Sequence, residues 1–150
     1  MKQYINYTFT IYTYSIICTF VPYTINTTID MDFTMLAGLE LNGFNPTMNT
    51  FNPSIFDEER INAIRYIIAS FFEKTKIAKN QTESRSYWLK HRVEEYAQRV
   101  CDPVLRNYIT NGELIYAMFL EGFTVKKVDE KNAYFNVSKR SVNRLLNAPQ

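Results

Sequence analysis

Few residues in this chain have types and spacings that could do chemistry. His91 is the single histidine, and the two cysteines, Cys18 and Cys101, lie far apart. A Cys–His nucleophile needs thiol and imidazole within hydrogen-bond reach. Cys101 follows His91 by ten residues, which on one helix is a rise of about 15 Å, so the pair does not meet there. No second histidine and no Cys-x-x-Cys supplies a zinc set. No Gly-x-Gly-x-x-Gly, Walker or Gly-x-Ser-x-Gly sequence occurs. Asp30 and Asp32 could share a divalent cation, but a solvated acidic loop is the simpler reading. The residues therefore predict a non-enzyme with no cofactor and no bound metal.

Binding chemistry is better supplied. Net charge is only +2, yet sixteen of the 17 Lys and Arg residues lie beyond position 56, against twelve of the 15 acids. Over 124–150, six cations face two acids, so positive charge is concentrated at the C-terminal end. Lys126, Lys127 and Lys131 interleave with Phe123, Tyr134 and Phe135. Alternation turns Tyr134 outward and the two phenylalanines inward, so Tyr134 could stack an unpaired base beside the lysines. The last segment carries Lys139, Arg140, Asn143 and Arg144 on one side, with Val142, Leu145 and Leu146 on the other. Lysine and arginine there would reach phosphates, and asparagine can read adenine. Tyr87, Trp88 and Arg92 form a second group, suited either to the core or to a protein contact.

These groups must be positioned by a small scaffold. Hydrophobic residues make up 46% and aromatics 15% of 150 residues, enough for one packed domain. Phe, Tyr, Asn, Ile, Lys and Thr are abundant, a bias that suggests AT-rich codons. Two cysteines without ligand spacing fit a reduced cytosolic protein. The apolar run at 15–21 is too short and interrupted for a signal or membrane span, and a cytoplasmic protein of a bacterial host is expected. Four Asn-x-Ser/Thr triplets, at Asn6, Asn26, Asn80 and Asn136, are expected by chance in this composition.

Residues 1–50 read as a β-rich or flexible N-terminal extension, with alternation at Ile5, Tyr7, Phe9 and Ile11 and a second extended piece over 23–29 able to pair with it. Residues 42–54 read as a loop rich in Asn and Pro. Residues 54–150 read as the main domain. Ser54 with Asp57 predicts the start of a helix running to about Ala78. A second helix is predicted over 85–101, with Lys90–Glu94 and Glu95–Arg99 pairs at i, i+4 and with Glu94 and Glu95 as surface charges; Asp102-Pro103 breaks it, and 104–108 could add one more turn. Thr110 and Glu113 form a capping box for a buried third helix that Gly122 ends in a left-handed conformation. Residues 123–128 and 133–137 read as a hairpin, and Ser138 as the cap of a basic last helix. The class is α+β: three or four helices with a C-terminal β-hairpin, plus the β-rich extension.

The order of helices, hairpin and basic helix resembles the winged-helix variation on helix-turn-helix proteins, and Val137 to Leu146 resembles a recognition helix. Ser86-Tyr87-Trp88-Leu89-Lys90-His91, Tyr108-Ile109-Thr110-Asn111-Gly112-Glu113-Leu114-Ile115 and Asn132-Ala133-Tyr134-Phe135-Asn136 resemble small proteins carried by phages and mobile elements. That resemblance implies a regulator of transcription or a blocker of host defence, anti-CRISPR proteins among the latter. The expected partner is nucleic acid, DNA or RNA, or a nucleoprotein effector such as a CRISPR nuclease. A homodimer is left open, and no membrane is expected. The alternative is an inhibitor of a bacterial defence nuclease that acts by protein–protein contact.

Overall fold

A computed structural model describes residues 7–11, 23–27, 32–79, 81–105 and 108–148. The run at 15–21, Cys18, Asp30 and Asn80 lie outside these residues, as does part of the turn expected over 104–108. The chain divides into two units, 1–33 and 34–150. In the first, β1 (Tyr7–Ile11) pairs antiparallel with β2 (Tyr23–Thr27), Phe9 opposite Ile25.

The second unit holds β3 (Leu39–Glu40), β4 (Gly43–Phe44), α1 (Glu58–Phe71), α2 (Ser86–Arg99), α3 (Asn111–Leu120), β5 (Val125–Lys127), β6 (Ala133–Phe135) and α4 (Lys139–Leu146). It is an α+β assembly of four helices and two-stranded antiparallel sheets, one of them the C-terminal hairpin. Gly43 and Phe44, within the segment read as loop, are in fact strand: β4 pairs with β3.

The hub is α3. Asn111 to Phe119 are all buried, as expected for a helix apolar on most faces. Its capping box forms as read: the Glu113 amide donates to Thr110 Oγ1 at 3.1 Å and the Thr110 amide to Glu113 Oε2 at 2.7 Å. Gly122, at φ +73°, ends it, a conformation costly for a residue with a Cβ. Helices α1 and α2 pack against α3, and α4 packs on α2 and α1. Leu36, Ile64, Ile68, Leu89, Leu105, Ile115, Phe135 and Leu145 close the core. Among the described residues, no helix is long and apolar enough to cross a membrane.

Several local readings are corrected. The N-cap of α1 is Asp57, whose carboxylate accepts the Arg60 amide at 3.0 Å, while Ser54 sits in a short 3-10 turn capped by Asn52. Helix α1 stops at Phe71, not near Ala78. Residues 73–75 instead pair with 136–138: the Thr75 amide donates to the Asn136 carbonyl at 2.6 Å and the Ser138 amide to the Glu73 carbonyl at 2.8 Å. Strand-like pairing with a distant segment overrides the helical pattern. Ser138 occupies the N-cap of α4 without a side-chain cap bond. At its other end, the Arg99 guanidinium donates to the Leu145 and Leu146 carbonyls at 2.7 and 2.9 Å, satisfying orphan acceptors and countering the helix dipole.

Candidate nucleic-acid interface

The hairpin is held from both edges by one side chain. Asn136 Oδ1 accepts the Thr124 amide at 2.7 Å, and its Nδ2 donates to the Thr75 carbonyl at 2.9 Å. Asn136 is buried, and both ends of its amide are engaged, so it is no glycan acceptor in this fold. At the turn, Asp129 Oδ1 accepts the Lys131 and Asn132 amides at 2.8 and 2.7 Å. The carboxyl of Asp129 lies below its ordinary range. Burial pushes it up, but the amides of Lys131 and Asn132, the Asn132 side chain and the Arg85 charge together outweigh that. The β3–β4 hairpin and the start of α3 buttress this turn, the Phe44 amide donating to the Glu130 carbonyl at 2.6 Å and the Asn111 side chain to the Lys131 carbonyl.

This frame places Lys126 directly opposite Tyr134. On its other edge Tyr134 is bridged by Arg85, also antiparallel. Directly opposed residues share a face of the ribbon, so Lys126, Tyr134 and Arg85 form one row, an aromatic ring between two cations. Lys126 and Arg85 are exposed and Tyr134 is half-buried, while Ala133 and Phe135 on the opposite face are buried. The sequence does not signal Arg85 as part of this face. It lies 49 positions from Tyr134, and no local pattern signals that pairing.

The other cations are placed differently. Lys127 is exposed, with its ammonium 4.7 Å from the centroid of Phe44, and Lys131 is exposed at the turn. On α4, Lys139 is paired with Glu83 at 2.5 Å and Arg144 with Glu73 at 2.7 Å. The Lys139 hydrogen bond holds the Glu83 carboxyl below its usual range. Glu83 stands two positions from Arg85, so the first turn of α4 adjoins the row. Arg140 and Asn143 are exposed, and Arg140 makes no ion pair among the described residues.

The three residues read as a protein contact divide between two sides of α2. Consecutive positions diverge by about 100° on a helix. Tyr87 is 55% exposed and meets the His91 ring edge-on, with centroids 4.7 Å apart. Trp88 is half-buried beneath Arg92, 5.2 Å from its ring, and Arg92 pairs with Glu95 at 2.8 Å rather than Glu95 with Arg99.

A second charged cluster is built on the Lys90–Glu94 pair expected at i, i+4, but it is buried rather than at the surface. Lys90 is fully buried, and Glu94, expected at the surface, is buried with it. Lys90 Nζ donates to Glu94 Oε1 at 3.0 Å and lies 3.9 Å from the Tyr108 centroid and 5.3 Å from that of Tyr87. The same carboxylate accepts the Ile109 amide at 2.8 Å, and His91 Nδ1 is 2.8 Å from its other oxygen. Arg60 holds the preceding loop from the other side, donating to the Val104 and Tyr108 carbonyls at 3.2 and 2.7 Å and to Glu113 at 2.6 Å. The Glu113 hydrogen bond raises the Arg60 pKa above its ordinary value, against the opposing effect of burial. Among the described residues, no three His, Cys, Asp or Glu side chains gather to hold a metal ion.

The chain matches no family model, no curated protein and no solved structure.

Proposed function

We propose that this is a non-enzymatic protein of a phage or mobile element that binds nucleic acid, DNA or RNA, or a nucleoprotein, in the cytoplasm of a bacterial host, through its basic C-terminal face. The observation that carries this reading is the cross-strand row Lys126–Tyr134–Arg85, with Lys127, Lys131, Lys139 and Arg140 exposed on the elements beside it. A polyanion with exposed bases is the ligand class that rewards both positive charge and an aromatic face. The row stands on a braced ribbon, so little ordering cost attends binding. Capture of the tagged protein from its host, with and without nuclease, tests the reading. Recovery of nucleic acid, or of partners released by nuclease, is expected; a single protein partner that survives nuclease would contradict it.

A second reading, an inhibitor that contacts a defence nuclease, draws on a different surface. Tyr87 and Tyr108 are 55% and 57% exposed, and both rings lie over the buried Lys90 ammonium. Exposed tyrosines held rigid from below suit a protein contact hot spot. Under this reading Tyr87→Ala abolishes capture of the protein partner while Lys126→Glu leaves it intact.

A further inference from the structure

We infer that the C-terminal face takes single-stranded rather than duplex nucleic acid, with an unpaired base stacked on Tyr134 and its flanking phosphates on Lys126 and Arg85; this rests on the nucleic-acid reading above. Two independent observations carry it.

The first is the state of the Tyr134 ring. Phe44, Phe123, Tyr87, Trp88, Tyr96 and Tyr108 each have a Lys or Arg of the chain against the ring. Tyr134 has neither a cation nor another ring against it among the described residues, although Lys126 and Arg85 stand on both sides of it in register. Neighbouring strands are about 4.8 Å apart, so the two cationic residues sit roughly 10 Å apart with the ring midway. That spacing straddles one nucleotide. A stacked duplex offers no free base face, whereas an unpaired base does.

The second is the charge state of α4, the element best shaped to enter a duplex groove. Lys139 and Arg144 are held by Glu83 and Glu73. Duplex binding draws its affinity from several phosphate contacts at once, and two of the three α4 cations already have acidic partners that phosphates would have to displace. Lys126 of the row makes no ion pair among the described residues, so a phosphate there displaces no acidic partner.

The test is fluorescence anisotropy with labelled strands of roughly 15 nucleotides, long enough for one site, as RNA, as DNA of the same sequence and as their duplexes. Wild type, Tyr134→Ala, Tyr134→Phe and Lys126→Glu are compared, with circular dichroism confirming fold. The inference expects single strands of one or both chemistries to bind at least about tenfold tighter than duplex. It expects Tyr134→Ala to weaken single-strand binding by about five- to 150-fold, the range for loss of one stacked base, and Tyr134→Phe to restore it. The RNA and DNA arms identify which sugar is preferred. Duplex binding equal to or tighter than single-strand binding, or a folded Tyr134→Ala that binds like wild type, would overturn the single-strand inference while leaving nucleic-acid binding in place. Failure of every nucleic acid to bind wild type would overturn the underlying reading as well.

Discussion

Replacing Glu94 with alanine should cost more stability than any other single charge deletion in this protein. Its carboxylate accepts from the Lys90 ammonium at 3.0 Å and the Ile109 amide at 2.8 Å, and lies 2.8 Å from His91. Lys90 is fully buried, so no water replaces the lost partner. Two aromatic rings remain against the ammonium, but they do not neutralise it. Breaking a buried ion pair from one side costs about 3–5 kcal/mol, out of a total of about 5–15 kcal/mol for a domain. The orphaned Ile109 amide belongs to the same network, so its cost does not simply add. Urea unfolding followed by far-ultraviolet circular dichroism measures the loss. Lys90→Met combined with Glu94→Gln, which removes both charges and keeps an acceptor for Ile109, should recover at least half of it. The Arg92–Glu95 pair, with Glu95 exposed and Arg92 half-buried, supplies the control: Arg92→Ala should cost under about 1 kcal/mol. A Glu94→Ala loss no larger than that of Arg92→Ala would refute the claim that this network is a buried, obligatory one.

Asn136→Ala removes the clamp on both edges of β6 and should destabilise by about 1–3 kcal/mol, read by denaturant midpoint, with binding weakened because the row loses its frame. On α4, Arg140→Glu should weaken nucleic-acid binding several-fold by anisotropy, whereas Arg144→Glu should weaken it less, because Glu73 already occupies that guanidinium. Acidification should loosen the hairpin turn. The Asp129 carboxyl is depressed in the folded state, so its stabilisation is complete above the ordinary aspartate value near pH 4 and is lost as pH falls through the lower folded value. Glu83 is depressed too, by Lys139, and acts in the same window. Thermal midpoints between about pH 5 and pH 3 should fall less for Asp129→Asn than for wild type.

The parts of the fold that were legible in the sequence are those written in local signals. The Thr110–Glu113 box fixed the start of α3 and Gly122 its end, because both devices act within one turn of backbone. The hairpin was equally local: alternation at 133–135 and the Asp129–Asn132 turn set its register. What was missed depends on partners remote in sequence. Helix α1 ends early because 73–75 pairs with residues some 60 positions away. Glu94 reads as a surface charge until the Ile109 amide donates to it and Tyr108 covers its partner Lys90. The candidate site was legible in its residue types but not in their arrangement. Lys126 and Tyr134 were found together, Arg85 was not, and the pairing of Lys139 and Arg144 with Glu83 and Glu73 could not be read from the basic face of α4 alone.

The central claim, that the C-terminal face binds nucleic acid through phosphate contacts, is tested most directly by measuring wild-type affinity for one single strand across a salt series. With three or four cations engaged, a slope of roughly −2 to −3 in log affinity against log salt is expected, a loss of about 16- to 60-fold between 50 and 200 mM. Lys126→Glu should flatten that slope. No binding even at low salt, or an affinity indifferent to salt, would contradict the account.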